Sequence, residues 1–334
     1  MRRRAITLQR LRSAAMIWLT ATSVSLLALI TAGLLAVLVV GALLWLTEPS
    51  AGAHGGWASL LENLSNFFFA KPNEGLGYTG VLPAIVGTSV LVVLMTAVVG
   101  PFGAAAAIYL SEYAGASRYT QLVRIAVQNL AGVPAIIYGV FGLGFFVYGV
   151  GGTLDGLWFS ETLPQPTLGT PGLMWAALTL ALLNLPVVIV ASLEGLGRLP
   201  STLREGSYAL GATRAETILR VVLPAAAPSM LTGIILAIAR AAGEVAPLML
   251  VGAVKYAPSL PVSAAAPFVH LEQKFMHLGF HVYDATLHAS LPEGRVGLVS
   301  ATALLLVTVI VTLNLIAVSL RQKLHYRYRE ERGF

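Results

Sequence analysis

Six stretches of this chain stay apolar for longer than a buried helix of a soluble protein requires. They run from Ala14 to Leu46, Leu82 to Leu110, Ile125 to Val150, Gly172 to Leu193, Pro224 to Ala253 and Val296 to Leu320. Each exceeds the roughly 18 to 20 residues that cross the hydrocarbon core of a bilayer. The pattern predicts an all-α polytopic membrane protein with six transmembrane helices. Arg2 to Arg4 ahead of the first run resemble the start of a secretory or twin-arginine signal. That run is about 33 residues long, against the 7 to 15 of a signal core, so it is expected to be a retained helix.

Composition agrees, since 11% of residues are charged and 57% hydrophobic, whereas soluble domains carry about 25% charged residues. The chain has no cysteine, which excludes disulfides, thiolate metal sites and cysteine nucleophiles. The net charge of +6 alone would allow nucleic acid or anionic lipid as a partner, but the placement of the basic residues favours the bilayer. Sixteen of the 21 lysines and arginines fall before the first run, between the second and third, between the fourth and fifth, or after the sixth. Only Lys71, Lys255, Lys274 and Arg295 lie in the other connections, and Arg240 is inside a run. The positive-inside rule then predicts that both termini face the cytoplasm, and no nucleic-acid partner is expected.

Turn-forming residues mark the connections on the opposite side, at Glu48-Pro49-Ser50-Ala51-Gly52 and Leu163-Pro164-Gln165-Pro166. Gly75-Leu76-Gly77-Tyr78-Thr79-Gly80 has the glycine spacing of a dinucleotide site, but it follows Lys71-Pro72-Asn73-Glu74 instead of a strand and is read as a loop. After the fifth run, His270, His277, His281 and His288 share one side if the segment is a single helix. Such a face suits a metal ion or a pH response. The plainer expectation is an amphipathic helix along the outer membrane surface, with Phe268, Leu271, Phe275, Leu278 and Val282 supplying apolar area.

Residues 199 to 224, between the fourth and fifth runs, carry two capping-box patterns, Thr202 with Glu205 and Thr213 with Glu216, on either side of Gly211. They predict two short helices at an angle, joined where glycine takes a left-handed turn. Further on, Ala237-Ile-Ala-Arg240-Ala-Ala-Gly243-Glu244-Val-Ala-Pro247 sets two opposite charges four residues apart in an apolar run. An arginine in a spanning helix needs a partner or a wet cavity, and Glu244 at that spacing neutralises it in part. Pro247 has no N–H for the carbonyl of Gly243, so a bend is expected around Gly243 and Pro247. Two readings stand for the pair: a structural ion pair, or an arginine facing a pathway with a carboxylate that keeps it from holding an anion too tightly.

The loop at 199 to 224 resembles the cytoplasmic signature of the permease subunits of ATP-binding-cassette importers. There a Glu-Ala-Ala triplet, a glycine four positions later and an Ile-x-Leu-Pro ending frame the helix that docks on the ATPase. Glu205, Gly211, Leu223 and Pro224 match; Gly206 and Ser207 stand for the two alanines and Val221 for the isoleucine. The text from Leu231 to Leu248, with Asn184-Leu-Pro-Val-Val-Ile-Val190 and Asn129-Leu-Ala-Gly-Val-Pro134-Ala-Ile-Ile-Tyr-Gly139, is similar to phosphate-specific permeases of the PstA type, from about Gly80 to the tail. The resemblance implies a type I ABC importer permease fold with cytoplasmic coupling helices at about 202–220. It divides the chain into an N-terminal arm, first helix and periplasmic loop at 1–80, an importer transmembrane domain at 81–320 and a basic cytoplasmic tail at 321–334.

By the same resemblance, Arg204, Glu205, Ala209, Gly211, Ala212, Leu223 and Pro224 belong to ATPase coupling, and Arg240 and Glu244 to the substrate pathway. The implied partners are a second permease of the PstC type, an ATPase dimer of the PstB type and a periplasmic phosphate-binding protein of the PstS type. No cofactor is expected on this chain; ATP and Mg would act on the ATPase, because the sequence has no Gly-x-x-x-x-Gly-Lys-Ser/Thr loop. Phosphonate, sulfate or molybdate remains an alternative cargo. An ion-coupled secondary transporter fits less well, since no second half resembles the first, and no catalytic constellation suggests an enzyme.

Overall fold

The computed structural model describes residues 2–47, 57–69, 80–115, 117–162, 164–287 and 295–330, and apart from two isolated bridges the regular elements among them are helical. They are α1 (Arg2–Thr47), α2 (Trp57–Phe69), α3 (Leu82–Ile108), α4 (Arg118–Leu130), α5 (Ala135–Phe141), α6 (Gly152–Trp158), α7 (Leu173–Gly197), α8 (Ser201–Ala209), α9 (Arg214–Thr217), α10 (Leu223–Gly243), α11 (Leu248–Val251), α12 (Leu278–Leu287) and α13 (Arg295–Glu330). Three π-helical stretches extend or join them: Tyr109–Tyr113 after α3, Gly142–Gly151 between α5 and α6, and Ile218–Val222 between α9 and α10. Six runs are long and apolar enough to span a membrane: Met16–Thr47, Leu82–Tyr113, Ala135–Trp158, Leu173–Gly197, Arg214–Gly243 and Val296–Lys323. Number and order match the hydrophobic pattern.

The boundaries of the third and fifth spans differ most from expectation, and prolines lie at the largest of these differences. The third span begins at Ala135 and not at Ile125, because Pro134 cannot donate to the carbonyl of Leu130 and its ring disfavours helix at Val133. The freed carbonyl accepts a hydrogen bond from Tyr138 Oη at 2.9 Å, so this acceptor stays paired. The fifth span ends at Gly243 and not at Ala253, four residues before Pro247. At its other end it starts earlier than expected, at Arg214, since the π turn at Ile218–Val222 carries the helix past Pro224.

The chain divides into two compact units, one of Met1–Leu64 with Ala289–Leu305 and one of Ser65–His288 with Leu306–Phe334. In the first, α1 meets the beginning of α13: a Cβ on Gly41 would lie 2.6 Å from Ser300 Oγ. Asn63 donates to the carbonyl of Leu46 at 3.1 Å. In the second, α3, α7 and α10 form the core around Leu91, Met95, Leu180, Val188, Ala237 and Ala241. Small residues let these helices close up, with Gly103 against Val188 and Gly233 against Ala191. In α7, the most enclosed of the six spans, Asn184 Nδ2 donates to the carbonyl of Leu180 at 2.8 Å, while its buried Oδ1 has no hydrogen-bond partner.

The segment after α11 is not the surface helix that the sequence suggested. Residues 252 to 277 are irregular and fold back onto the N-terminal ends of α3 and α7. Leu173 and Met174, whose N–H groups open α7, donate to the carbonyls of Gln273 and Leu271 at 2.9 and 2.8 Å, which supplies the acceptors that a helix start lacks. The N–H of Leu278 donates to Thr88 Oγ1 on α3 at 2.9 Å, and a side chain at Gly87 would collide with the carbonyl oxygen of Met276. Gly252 takes φ of 148° against Gly172, a conformation that only glycine adopts readily. Phe275, Met276, His277 and Leu278 are all buried.

The histidines are therefore not one helical face. His270 lies in the irregular segment, His277 precedes α12, His281 is within it, and His288 lies outside the described residues. No group of three or more His, Asp or Glu side chains placed to hold a metal occurs among the described residues. His277 is fully buried, and neither ring nitrogen has a hydrogen-bond partner. Burial lowers its pKa from 6.5 to about 4. His281 is lowered too, mainly by burial, with Asp284 opposing the shift and Lys255 adding to it. Between pH 6.5 and 4 the unfolded chain binds a proton that the folded loop refuses. Stability is therefore complete above that window and declines as pH falls through it. At about 1.4 kcal/mol per pH unit, the loss reaches on the order of 3 kcal/mol. Thermal unfolding in detergent from pH 7.5 to 4.5 is expected to show this decline, and His277→Phe to flatten it.

Candidate functional site

Two clusters of polar side chains in the second unit are built on arginine–carboxylate pairs. The first is at the end of α10. Arg240 is in the last helical turn, where a cation complements the unpaired carbonyls and the negative end of the helix dipole. Its Nε donates to Glu244 Oε1 at 3.0 Å. Glu244 is not itself helical: it is the C-cap, extended at φ −76° and ψ 129°. The helix thus stops at Gly243 instead of bending, and Pro247 caps the start of α11. The pair is half-buried, with the Arg240 side chain 33% exposed and Glu244 19%. Among the described residues only Nε of the guanidinium is engaged, so both terminal nitrogens remain available.

This break packs on the third span. A Cβ on Gly139 would lie 2.7 Å from Pro247 Cα and 3.1 Å from its carbonyl oxygen. The Pro134 to Gly139 motif and the Arg240 to Pro247 motif, more than a hundred residues apart in sequence, therefore meet directly. Beside them an apolar groove of about 460 Å³ is lined by Val127, Leu130, Ile137, Tyr138, Leu185 and Pro186, among others.

The second cluster gathers the ends of α3, α7 and α9 around α8. The left-handed turn falls on Gly211 at φ 83°, and the Thr213–Glu216 capping box forms as expected. The Thr202–Glu205 box does not: α8 starts at Ser201 with Pro200 as its cap, so Thr202 is already inside the helix. The second short helix is also not separate, since α9 continues through the π turn into α10. The hydroxyls of Ser207 and Thr217 lie 2.9 Å apart across the turn, and Ala212 donates to the carbonyl of Ser207 at 3.2 Å.

Within this segment the expected coupling residues separate into two groups. Glu205, Ala209 and Gly211 are exposed, next to exposed Leu203, Tyr208 and Leu210. Leu223 joins the apolar cluster of Ala107, Leu196, Val222 and Met230, and Ala212 and Pro224 are half-buried. Arg204 turns inward to a residue that the sequence reading passed over, Glu112, in the π turn that ends α3. Arg204 Nη2 and Nε reach the two carboxylate oxygens at 2.7 and 3.2 Å, and the hydrogen-bonded pairing raises the arginine pKa further above its ordinary value. The one available signal was an acid placed at the end of an apolar span, in Tyr109-Leu-Ser-Glu-Tyr113.

Solved structures share this arrangement of spans. The MetNI methionine ABC transporter, in an inward-facing conformation, has a chain that aligns over 73% of this chain and 94% of its own, at a TM-score of 0.51 and 17% identity. A bacterial importer of alginate aligns over 72% and 79%, at 0.51 and 16%. The fold is that of type I ABC importer permeases. Residues 100–329 match the family described as binding-protein-dependent transport system inner membrane component, and the chain belongs to that family. Relatives include the phosphate transport system permease protein PstA 1 of Mycobacterium tuberculosis, 41% identical over 175 residues, which are 52% of this chain and 51% of the relative. A probable ABC transporter permease of Bacillus subtilis, YqgH, is 33% identical over 196 residues, 58% and 60% of the two chains. The chain spans about half to three fifths of the length of these relatives. It is a multi-pass inner-membrane protein.

The contact between Gly139 and Pro247 leaves no room for a methyl group. Gly139→Ala is expected to lower the melting temperature in detergent, at a cost of about 1 to 3 kcal/mol for overpacking against backbone. Gly144, in the same span, has nothing within 4 Å of its would-be Cβ. Gly144→Ala is expected to shift melting the other way, by roughly 0.5 to 1 kcal/mol of helix propensity.

Proposed function

We propose that this chain is a permease subunit of an ATP-driven inorganic phosphate importer, forming part of the translocation pathway. The observation that carries the reading is Arg240, held through Nε alone, half-exposed beside a helix break, with its two terminal nitrogens uncommitted. A planar fork that never loses its charge suits a tetrahedral oxyanion. Glu244, fixed beside it, limits how tightly the anion is held, and transport needs release as well as capture. The names of the relatives, PstA among them, favour phosphate over other oxyanions.

By the distribution of basic residues, both termini and the α8–α9 segment would face the cytoplasm. There the exposed face of Glu205, Tyr208 and Leu210 is available to an ATPase dimer of the PstB type, which would hold ATP and Mg. A second permease of the PstC type would complete the pathway, and a binding protein of the PstS type would deliver phosphate from the periplasm. ATP would act through the different fit of nucleotide to two arrangements of the spans.

Phosphate uptake by the complex reconstituted in vesicles tests the pathway role. Two charge-assisted hydrogen bonds contribute about 1.5 to 3 kcal/mol each, so Arg240→Gln is expected to cut uptake by at least tenfold. Arg240→Gln with Glu244→Gln is expected not to recover it. Normal uptake by the single variant, or full rescue by the double one, would assign the pair a structural role. Uptake of sulfate, molybdate or a phosphonate in preference to phosphate would reassign the cargo.

The coupling face has its own test. Glu205→Lys reverses an exposed charge and disturbs no ion pair among the described residues, so the spans are expected to insert normally. Stimulation of ATP hydrolysis by the loaded binding protein is expected to be lost.

A further inference from the structure

Glu112 is a carboxylate only 9% exposed at the end of a spanning helix, a position that costs desolvation unless its oxygens are paired. They are paired fully. Arg204 presents its fork to both carboxylate oxygens, Ser111 Oγ donates to Oε1 at 3.4 Å, and the main-chain carbonyl of Glu112 accepts from Arg214 Nη2. The guanidinium of Arg214 lies 5.0 Å from the ring centre of Tyr113, over its face.

Arg204 does more than neutralise the acid. Its Nη1 donates to the carbonyl of Leu199 at 3.2 Å, and its Nη2 also donates to that of Leu196 at 3.3 Å. Leu196 is in the last turn of α7, where carbonyls lack helical partners. All three nitrogens of the arginine are thus used, and one side chain of α8 is bound to the ends of both α3 and α7. Arg214, the first residue of α9, binds the same turn of α3. The turn that receives these bonds is π-helical, as such turns at functional sites often are. The outward face of α8, with Glu205, makes none of these contacts.

From this geometry we infer that Glu112 is a positioning residue for transport. It locks the coupling helix α8 to the paired ends of α3 and α7, so that a displacement of α8 moves those spans as one body. Glu112 touches neither cargo nor nucleotide. Its removal is expected to uncouple the two without preventing ATPase docking, because docking uses the opposite face of α8. The inference rests on the importer reading above, but the lock itself is tested without reference to the cargo.

The chain has no cysteine, so Phe102→Cys on α3 and Ser201→Cys on α8, both exposed, accept a spin-label pair in the full complex with cysteine-free partners. Without Glu112 changed, one narrow distance is expected, unaltered when ATP is trapped. With Glu112→Gln, which keeps the shape but loses the charge and offers N–H groups to the arginine, the distance is expected to broaden and to shift on ATP trapping. The ATPase is expected to stay bound and basal hydrolysis to persist. Phosphate taken up per ATP is expected to fall about tenfold, within the range of ordinary coupling energies. Glu112→Asp, one methylene shorter with its charge intact, is expected to lie between.

An unchanged distance together with an unchanged ratio in Glu112→Gln overturns the inference, and so does loss of the ATPase from that complex. If Glu112→Gln does not assemble, Glu112→Asp decides: a reduced ratio supports the inference and a wild-type ratio overturns it. Failure of the unaltered complex to take up phosphate would count against the cargo assignment alone, because the label distances report the lock whatever ion is carried.

Discussion

In hydrocarbon, a backbone N–H or C=O without a partner costs several kcal/mol, because no water is present to replace the missing bond. Each proline in a span removes one donor and displaces one acceptor, and the architecture is arranged around these losses. Pro134 frees the carbonyl of Leu130, and the Tyr138 hydroxyl takes it up. Ahead of Pro224 the helix widens into a π turn and continues. Ahead of Pro247 it stops at Gly243, and the cation of the last turn, Arg240, sits among carbonyls that the helix itself leaves unpaired. The irregular segment from 252 to 277 obeys the same constraint: the carbonyls of Leu271 and Gln273 serve as acceptors for the opening turn of α7, and its two ends, at 252–253 and 275–277, are buried.

This constraint also explains what was legible in the sequence. The number and order of the spans follow from uninterrupted apolar runs, since composition alone decides whether a helix tolerates lipid. Their ends do not, because the run from Ile125 to Val150 is apolar on both sides of Pro134, and hydrophobicity is blind to the backbone break. The left-handed glycine at 211 and the capping box at Thr213 were readable because each depends on neighbours within a few residues. Thr202 was misread for the same reason, as the pattern is local but Pro200 is the residue that starts α8.

The histidine segment shows the opposite limit. A spacing of 7, 4 and 7 residues suggests one face only if the segment is helical, and helicity there was decided by distant groups. Thr88 on α3 and the first N–H groups of α7 hold residues 271 to 278 against the core, and residues 275 to 278 are buried there. No local pattern records that His277 would be enclosed, or that Gly87 leaves the space its neighbours occupy. The meeting of Gly139 with Pro247 is likewise tertiary, although both residues lie in motifs whose resemblance to known permeases was visible in sequence.

The two arginine–carboxylate pairs are chemically alike but differ in what they leave free. Arg204 gives Nε and Nη2 to Glu112 and uses Nη1 and Nη2 on the carbonyls of Leu199 and Leu196, so all three of its nitrogens are engaged by the protein. Arg240 gives Glu244 a single Nε contact, and its two parallel terminal N–H directions stay open at the edge of the membrane-spanning helix. A guanidinium with every nitrogen on protein acceptors is suited to holding elements together. One that is neutralised through a single nitrogen keeps its charge local, tolerates its apolar surroundings, and still has the geometry to take a tetrahedral anion and give it up. The difference in denticity, and not the presence of a salt bridge, is what separates the clamp from the candidate ligand site.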